Sequence, residues 1–289
     1  MVVSTTRAVD RRPTTRPLRT LAGILPAPLR RRLGARLSRL AWDYPGAEIG
    51  KCAPAEAFRT FRKGYDLEDA ACEAVSQVIG ATQLSYERLV TLYQQVVYLE
   101  RNQLPGALVE CGVWRGGAAA MMALANLAEG SERRMLHLFD SFQGMPEPDL
   151  AHDGEEALRW AGRRGDGSLV GTGVNVAHPE DVKSLIIDRI GYPESSVVIH
   201  TGWFQDTLPL ARSQIGPIAL LRVDGDWYES TLVVLEYLFD LVIPRGIVVI
   251  DDYGAFEGCR RATDEFLARH APHAYLHHID YTGRYFIKS

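Results

Sequence analysis

From residue 107 onward, short apolar runs alternate with helix-length amphipathic segments, and few folds satisfy that order. ALVECGV (107–113), MLHLFDSF (135–142), VVIHTG (197–202), IALLRVD (218–224) and GIVVIDDY (246–253) read as buried strands. Between them GGAAAMMALANLAEG (116–130), PEDVKSLIIDRIG (179–191) and STLVVLEYLFDLV (230–242) read as helices, the second opened by Glu180 and Asp181 and closed by Gly191. Parallel neighbours need long crossovers. The alternation therefore predicts an α/β fold, a doubly wound Rossmann-like sheet with helices on both faces. After a helix near 256–270, AYLHHID (274–280) and GRYFIKS (283–289) predict an antiparallel pair, so the sheet is mostly parallel with an antiparallel C-terminal edge.

Three regions follow from this pattern. Residues 105–289 form the sheet domain, and residues 46–104 an N-terminal helical cap, as in LSYERLVTLYQQVVYLE (84–100). Residues 1–45 form a basic extension, with ten arginines and the single acid Asp10 in residues 1–42. There Leu29, Leu33, Leu37 and Leu40 recur at helical spacing, while Pro13, Pro17, Pro26 and Pro28 interrupt the chain. The extension reads as a mobile tail with one docked helix; an anionic partner, a membrane surface or a flap over a site are the other readings. Residues 143–176, with glycines at 144, 154, 162, 165, 167, 171 and 173, are the one long irregular stretch, a lid or a disordered loop.

Composition narrows the function. A net charge of −4 gives no global reason to expect nucleic acid as a partner. No apolar run reaches the roughly 18 residues that span a bilayer, and no secretory signal is recognisable. Cys52, Cys72, Cys111 and Cys259 are scattered without a CxxC, as expected of a cytoplasmic protein rather than a disulfide framework or zinc site.

In a doubly wound sheet, ligands bind beyond the carboxyl ends of the strands, so the residues there carry the chemistry. ECGVWRGG (110–117) joins the first strand to its helix with small residues that let a ligand approach backbone, but it is neither GxGxxG nor a phosphate-cradling GK[ST] loop. Glu110 would repel a pyrophosphate and suits a cationic amine such as that of S-adenosylmethionine. Asp140, ending the second strand, is placed to accept hydrogen bonds from ribose hydroxyls, a feature shared by nicotinamide and S-adenosylmethionine folds. Two acidic pairs stand at the ends of the adjacent fourth and fifth strands: Asp224 with Asp226, and Asp251 with Asp252. So many carboxylates cannot stay ionised side by side without a counter-charge, and a hard divalent cation such as Mg²⁺ supplies it. Asp226, two residues beyond Asp224 and on the same side if the chain stays extended, can then take a proton from a substrate hydroxyl. The bland alternative is that these acids are solvated or cap helices. Trp227, Tyr228, Trp203, Phe204 and Tyr253 are walls for a ligand or plain core filler, and His200, His277 and His278 read as structural.

Five blocks in order, LVECGVWRGG (108–117), LFDSFQGMPEPD (138–149), GWFQDTLP (202–209), LLRVDGDWYEST (220–231) and GIVVIDDYGAFEGCRRATDEF (246–266), resemble the macrocin O-methyltransferase family. Members of that family methylate sugar hydroxyls on antibiotic natural products. The resemblance spans roughly residues 80–289. It implies a class I methyltransferase fold that uses S-adenosyl-L-methionine and Mg²⁺. Carried over block by block, Asp224, Asp251 and Asp252 would be metal ligands and Asp226 the general base. Glu110, Cys111, Gly112, Val113 and Trp114 would hold the donor together with Asp140, Ser141, Phe142 and Gly144. Asp206 and Thr207 would contribute from a third segment, and Thr82 from TQLSYERL (82–89). The implied partner is a small-molecule glycoside acceptor, with no nucleic acid, no integral membrane segment and a homo-oligomeric state. The arginine-rich residues 1–45 and the weakly matching loop 150–176 depart from the family pattern. A catechol-like phenol is an alternative acceptor. A nicotinamide-dependent oxidoreductase and a non-catalytic scaffold are the readings from other classes, disfavoured by the absent GxGxxG and by the four aspartates respectively.

Overall fold

The computed structural model describes residues 66–289; the basic extension and the cap up to residue 65 lie outside the described residues. Helices α1 (Asp66–Val78) and α2 (Tyr86–Arg101) come first, α2 capped by Ser85, whose side chain accepts from the Arg88 N–H. Then follow β1 (Ala107–Cys111), α3 (Gly117–Glu129), β2 (Leu136–Asp140) and α4 (Leu150–Trp160). The short α5 (Pro179–Lys183) runs into a π-helical turn over Ser184–Arg189 and leads to β3 (Val197–Thr201) and α6 (Phe204–Ile215). The chain closes with β4 (Ile218–Val223), α7 (Tyr228–Leu238), β5 (Val242–Ile250), α8 (Glu257–His270), β6 (His277–His278) and β7 (Arg284–Ile287).

The sheet order is β3-β2-β1-β4-β5-β7-β6, parallel except at β7 and β6. The expected mostly parallel, doubly wound sheet with an antiparallel C-terminal edge is what forms. Its two faces carry separate cores. Leu108, Leu220 and Val249 pack under α1, α2 and α3, whereas Val109, Leu221 and Val248 pack under α6, α7 and α8. Strands β1 and β4 are buried along their whole length, which explains why their sequences run apolar rather than alternating. No helix among the described residues is long and apolar enough to cross a membrane.

Two segments go beyond or differ from the sequence expectation. The residues between the third and fourth strands, to which the pattern assigned no element, form α6 with Pro209 inside it. The glycine-rich stretch 143–176 is not irregular throughout. It contains α4, started by the Asp149 side chain accepting from the Ala151 N–H, and Glu147 accepts from the backbone N–H of Arg163 and Arg164. Its two ends zip together where the Met145 N–H donates to Val174 O and the Thr172 N–H to Met145 O. Local caps and a buried acid order this stretch, and neither produces apolar periodicity.

Candidate active site

The carboxyl end of the sheet gathers the acids, and strand alternation sorts them. In the register of β1, β4 and β5, Glu110 lies opposite Arg222, and Arg222 opposite Val249. Side chains two residues apart share a face, so Glu110, Arg222, Asp224 and Asp251 belong to the α2–α3 side. Asp252 falls on the other. Backbone pairing continues past the strand ends, the Asp224 N–H donating to Cys111 O and the Asp251 N–H to Val223 O, which fixes where these side chains start.

Arg222, almost wholly buried, is the hub of the first group. Its Nη1 donates to Glu110 Oε1 and Asp224 Oδ2, both at 2.7 Å, and its Nη2 to Asp251 Oδ1 at 2.5 Å. Asp251 Oδ2 accepts from Arg88 of α2, whose Nε also donates to Asp280 at 2.8 Å. Burial pushes the Glu110 carboxyl up to about 8, against the opposing pull of Arg222. Asp251 was expected among the metal ligands, but both of its oxygens are engaged by guanidinium groups. Neither arginine was singled out in the sequence. The signal for Arg222 was a lone basic residue inside the apolar run IALLRVD, in register with Glu110. For Arg88 there was none, since α2 meets β5 only in the folded chain.

A second group shares only Asp224 with Arg222, and its other two acids have no ion pair with a basic side chain among the described residues. Asp224, Asp226 and Asp252 bring one carboxylate oxygen each to within 4.8 Å of one another. Burial and the neighbouring Asp224 charge hold the Asp226 carboxyl well above the ordinary carboxylate range, and burial with Asp226 does the same to Asp252. Asp252 Oδ2 is buried without a hydrogen-bond partner among the described residues. Three hard oxygen donors with no Cys or His, one of them unsatisfied, fit a Mg²⁺-like cation. Relative to the sequence expectation, Asp226 enters the group and Asp251 leaves it. The turn also differs from expectation: the chain does not stay extended, and Asp226 itself, not Gly225, takes the left-handed conformation, at φ 60°. Gly225 is required for space, because a Cβ there would lie 2.9 Å from Ser230 Cβ.

Beside these acids lie the loops expected to hold a donor. Gly112 has φ 96° and no room for a side chain, since a Cβ would sit 1.8 Å from the Asp224 carbonyl oxygen. Trp114, Phe142 and Gly144 also have positive φ, a concentration of strained backbone that usually marks a functional loop. Asp140, expected to face ribose, spends its oxygens on backbone. Oδ2 accepts from Val113 and Trp114 N–H, both at 2.8 Å, and Oδ1 from Phe142 N–H at 2.7 Å, which locks the β1 and β2 loops together. Ser141 Oγ donates to Gly144 O. Cys111 and Val113 are buried. Thr82 packs on the start of α3, where a Cβ on Gly117 would come 2.5 Å from Thr82 Cβ. Asp206 and Thr207 lie in the first turn of α6, next to this loop because the Gly202 N–H donates to Asp140 O. Glu110, expected to meet the donor amine, is buried against Arg222, but its Oε2 lacks a partner among the described residues. An unsatisfied buried carboxylate oxygen beside a backbone cradle is compatible with a cationic donor. Trp227 is not an open wall: it is buried, and its Nε1 donates to Pro146 O.

A family model described as Macrocin-O-methyltransferase (TylF) matches residues 61–288. The chain belongs to the macrocin-O-methyltransferase family. Relatives agree with this. The 8-demethyl-8-(2,3-dimethoxy-alpha-L-rhamnosyl)-tetracenomycin-C 4'-O-methyltransferase of Streptomyces olivaceus is 35% identical over 71% of this chain and 74% of its own. The mycinamicin III 3''-O-methyltransferase of Micromonospora griseorubida is 32% identical over 73% of this chain and 80% of its own. Among solved structures, the O-methyltransferase NovP superimposes with a TM-score of 0.63 at 34% identity, covering 72% of this chain and 82% of that one. The protein is therefore a methyltransferase, and its sheet is the class I methyltransferase sheet.

Proposed function

We propose that this methyltransferase moves a methyl group from S-adenosyl-L-methionine to a hydroxyl of a sugar on a glycosylated secondary metabolite in antibiotic biosynthesis, with a divalent cation such as Mg²⁺ at Asp224 and Asp252. The observation that carries the reading is the convergence of Asp224, Asp226 and Asp252, of which Asp224 alone is paired with an arginine among the described residues, beside a backbone cradle at the carboxyl ends of β1, β4 and β5. The name of the Streptomyces olivaceus relative, with its rhamnosyl group, supports the sugar acceptor.

When bound, a divalent cation lowers the pKa of a coordinated hydroxyl and fixes its oxygen. The chain's own residues do the rest. Asp224 and Asp252 supply ligand oxygens, and Asp226, facing both, takes the hydroxyl proton. Asp251 stays on its guanidinium partners and fixes Arg222. Gly112 to Trp114 offer backbone to the donor, and Asp140 holds that loop in place.

Thermal shift tests the cofactor. S-adenosylmethionine and S-adenosylhomocysteine are expected to raise Tm, since a ligand of the folded state stabilises by RT ln(1 + [L]/Kd). A shift with NAD⁺ and with neither of these would sink the reading. For the base, Asp226→Asn is expected to lower turnover about 10²–10⁴-fold while cation binding persists. Loss of cation binding in that variant would make Asp226 a ligand instead.

A further inference from the structure

Asp153 is a buried carboxylate that the proposed chemistry does not use. It belongs to α4, within the 143–176 segment, yet its Oδ1 accepts from the Tyr228 N–H at 2.7 Å, two residues beyond Asp226. Its Oδ2 accepts from the Asp149 N–H at 2.8 Å, and the Asp153 N–H donates back to Asp149 O at 2.7 Å. Gly154, at φ 78°, breaks the helix immediately afterwards and frees the acid to reach outward. Next to it, Trp227 Nε1 donates to Pro146 O, so consecutive residues of the carboxylate turn are both tied to the same segment. A third element closes on this point. Gly258, in the first turn of α8 and just beyond Asp251 and Asp252, has no room for a Cβ, which would lie 1.8 Å from Asp153 Oδ1 and 2.9 Å from the Tyr228 nitrogen.

These contacts surround a turn that needs support. Asp226 is a non-glycine residue in the left-handed region, a conformation that persists only when its surroundings over-determine it. On the α4 side that support comes from the Asp153 and Trp227 hydrogen bonds. We propose that Asp153 is a positioning residue: by holding the Tyr228 N–H it keeps Asp226 in its left-handed conformation beside Asp224 and Asp252, and it makes that geometry depend on the seating of α4. The functional consequence rests on the role given to Asp226 above; the structural one does not.

Amide hydrogen exchange at Tyr228, read beside kcat and KM, separates the two. Asp153→Ala removes the acceptor. Gly258→Ala leaves Asp153 in place but forces a methyl between it and Tyr228, and alanine is the better helix former, so harm to α8 itself is not the cause of any loss. Both variants are expected to speed exchange at Tyr228 and to lower kcat about 10²-fold with a smaller change in KM, the scale of a misplaced reacting group. Asp153→Asn retains one acceptor oxygen for Tyr228 and should recover most of both readouts. Wild-type exchange at Tyr228 in folded Asp153→Ala and Gly258→Ala proteins would overturn the proposal. So would accelerated exchange with unchanged kcat, if Asp226→Asn is inactive. Should Asp226→Asn keep full turnover, the base assignment fails, and exchange at Tyr228 alone decides whether Asp153 holds the turn.

Discussion

Two groups of carboxylates sit at the same sheet edge, and they are treated in opposite ways. On the α2–α3 side, Glu110 and Asp251 are buried and matched by Arg222 and Arg88, with Arg222 touching three carboxylates. A few ångströms away, Asp226 and Asp252 are close to Asp224 and have no ion pair with a basic side chain among the described residues. The first group is complete as folded. The second is left with excess negative charge, which no contribution to stability explains. A cluster compensated only at Asp224 beside a fully compensated one shows that the guanidinium groups at this edge engage Glu110, Asp224 and Asp251 and not Asp226 or Asp252. That contrast is the physical basis for reading the second group as the cation site.

The contrast can be broken in order of effect. Arg222→Leu should be the most damaging change, because it strands Glu110 in a buried, unpaired state and leaves Asp251 with Arg88 alone. Removing one partner of a buried pair costs about 3–5 kcal/mol, measurable by urea denaturation. Replacing an acid of the other group should do the reverse. Asp252→Asn relieves like-charge crowding, so without added cation its midpoint should equal or exceed that of the wild type, even though turnover is lost. Added Mg²⁺ should stabilise the wild type by about 2.7 kcal/mol at a hundredfold excess over Kd. That shift should vanish in Asp224→Asn and Asp252→Asn and survive in Asp251→Asn. Its loss in Asp251→Asn would return Asp251 to the ligand set that the sequence alone suggested. The smallest effect should come from Arg88→Leu. Asp251 keeps Arg222 and Asp280 keeps its Ser85 and backbone donors, so the loss should be nearer 1–3 kcal/mol, with the Mg²⁺ shift intact.

A separate pH effect follows from the other end of the same sheet. His137 is buried with its Nδ1 3.2 Å from His200 Nε2, and burial with the His200 charge pulls its pKa down to about 4. Its folded pKa lies below the unfolded value, so the stability it contributes is present above about 6.5 and is lost as pH falls towards 4. A titration of the denaturation midpoint over that window should slope downward, and His137→Gln should flatten it.

The alternation of apolar runs and helices, with the antiparallel pair at the end, determined the sheet, because strand burial and crossover geometry are written in periodicity. Periodicity also placed Glu110, Asp140, Asp224 and the Asp251–Asp252 pair at strand ends. It could not say which acid meets which charge. Arg88 and Asp251 are 163 residues apart, and Asp153 and Tyr228 are 75. Those pairings exist only once α2 and α4 are packed against the sheet edge. The same holds for IDDY, whose two neighbouring acids look equivalent in sequence. The pleat sends Asp251 to the arginines on one face and Asp252 to Asp224 and Asp226 on the other. Composition and order fixed where the acids stand, whereas through-space electrostatics, which depend on distance and burial rather than on sequence separation, decided which remain available for chemistry.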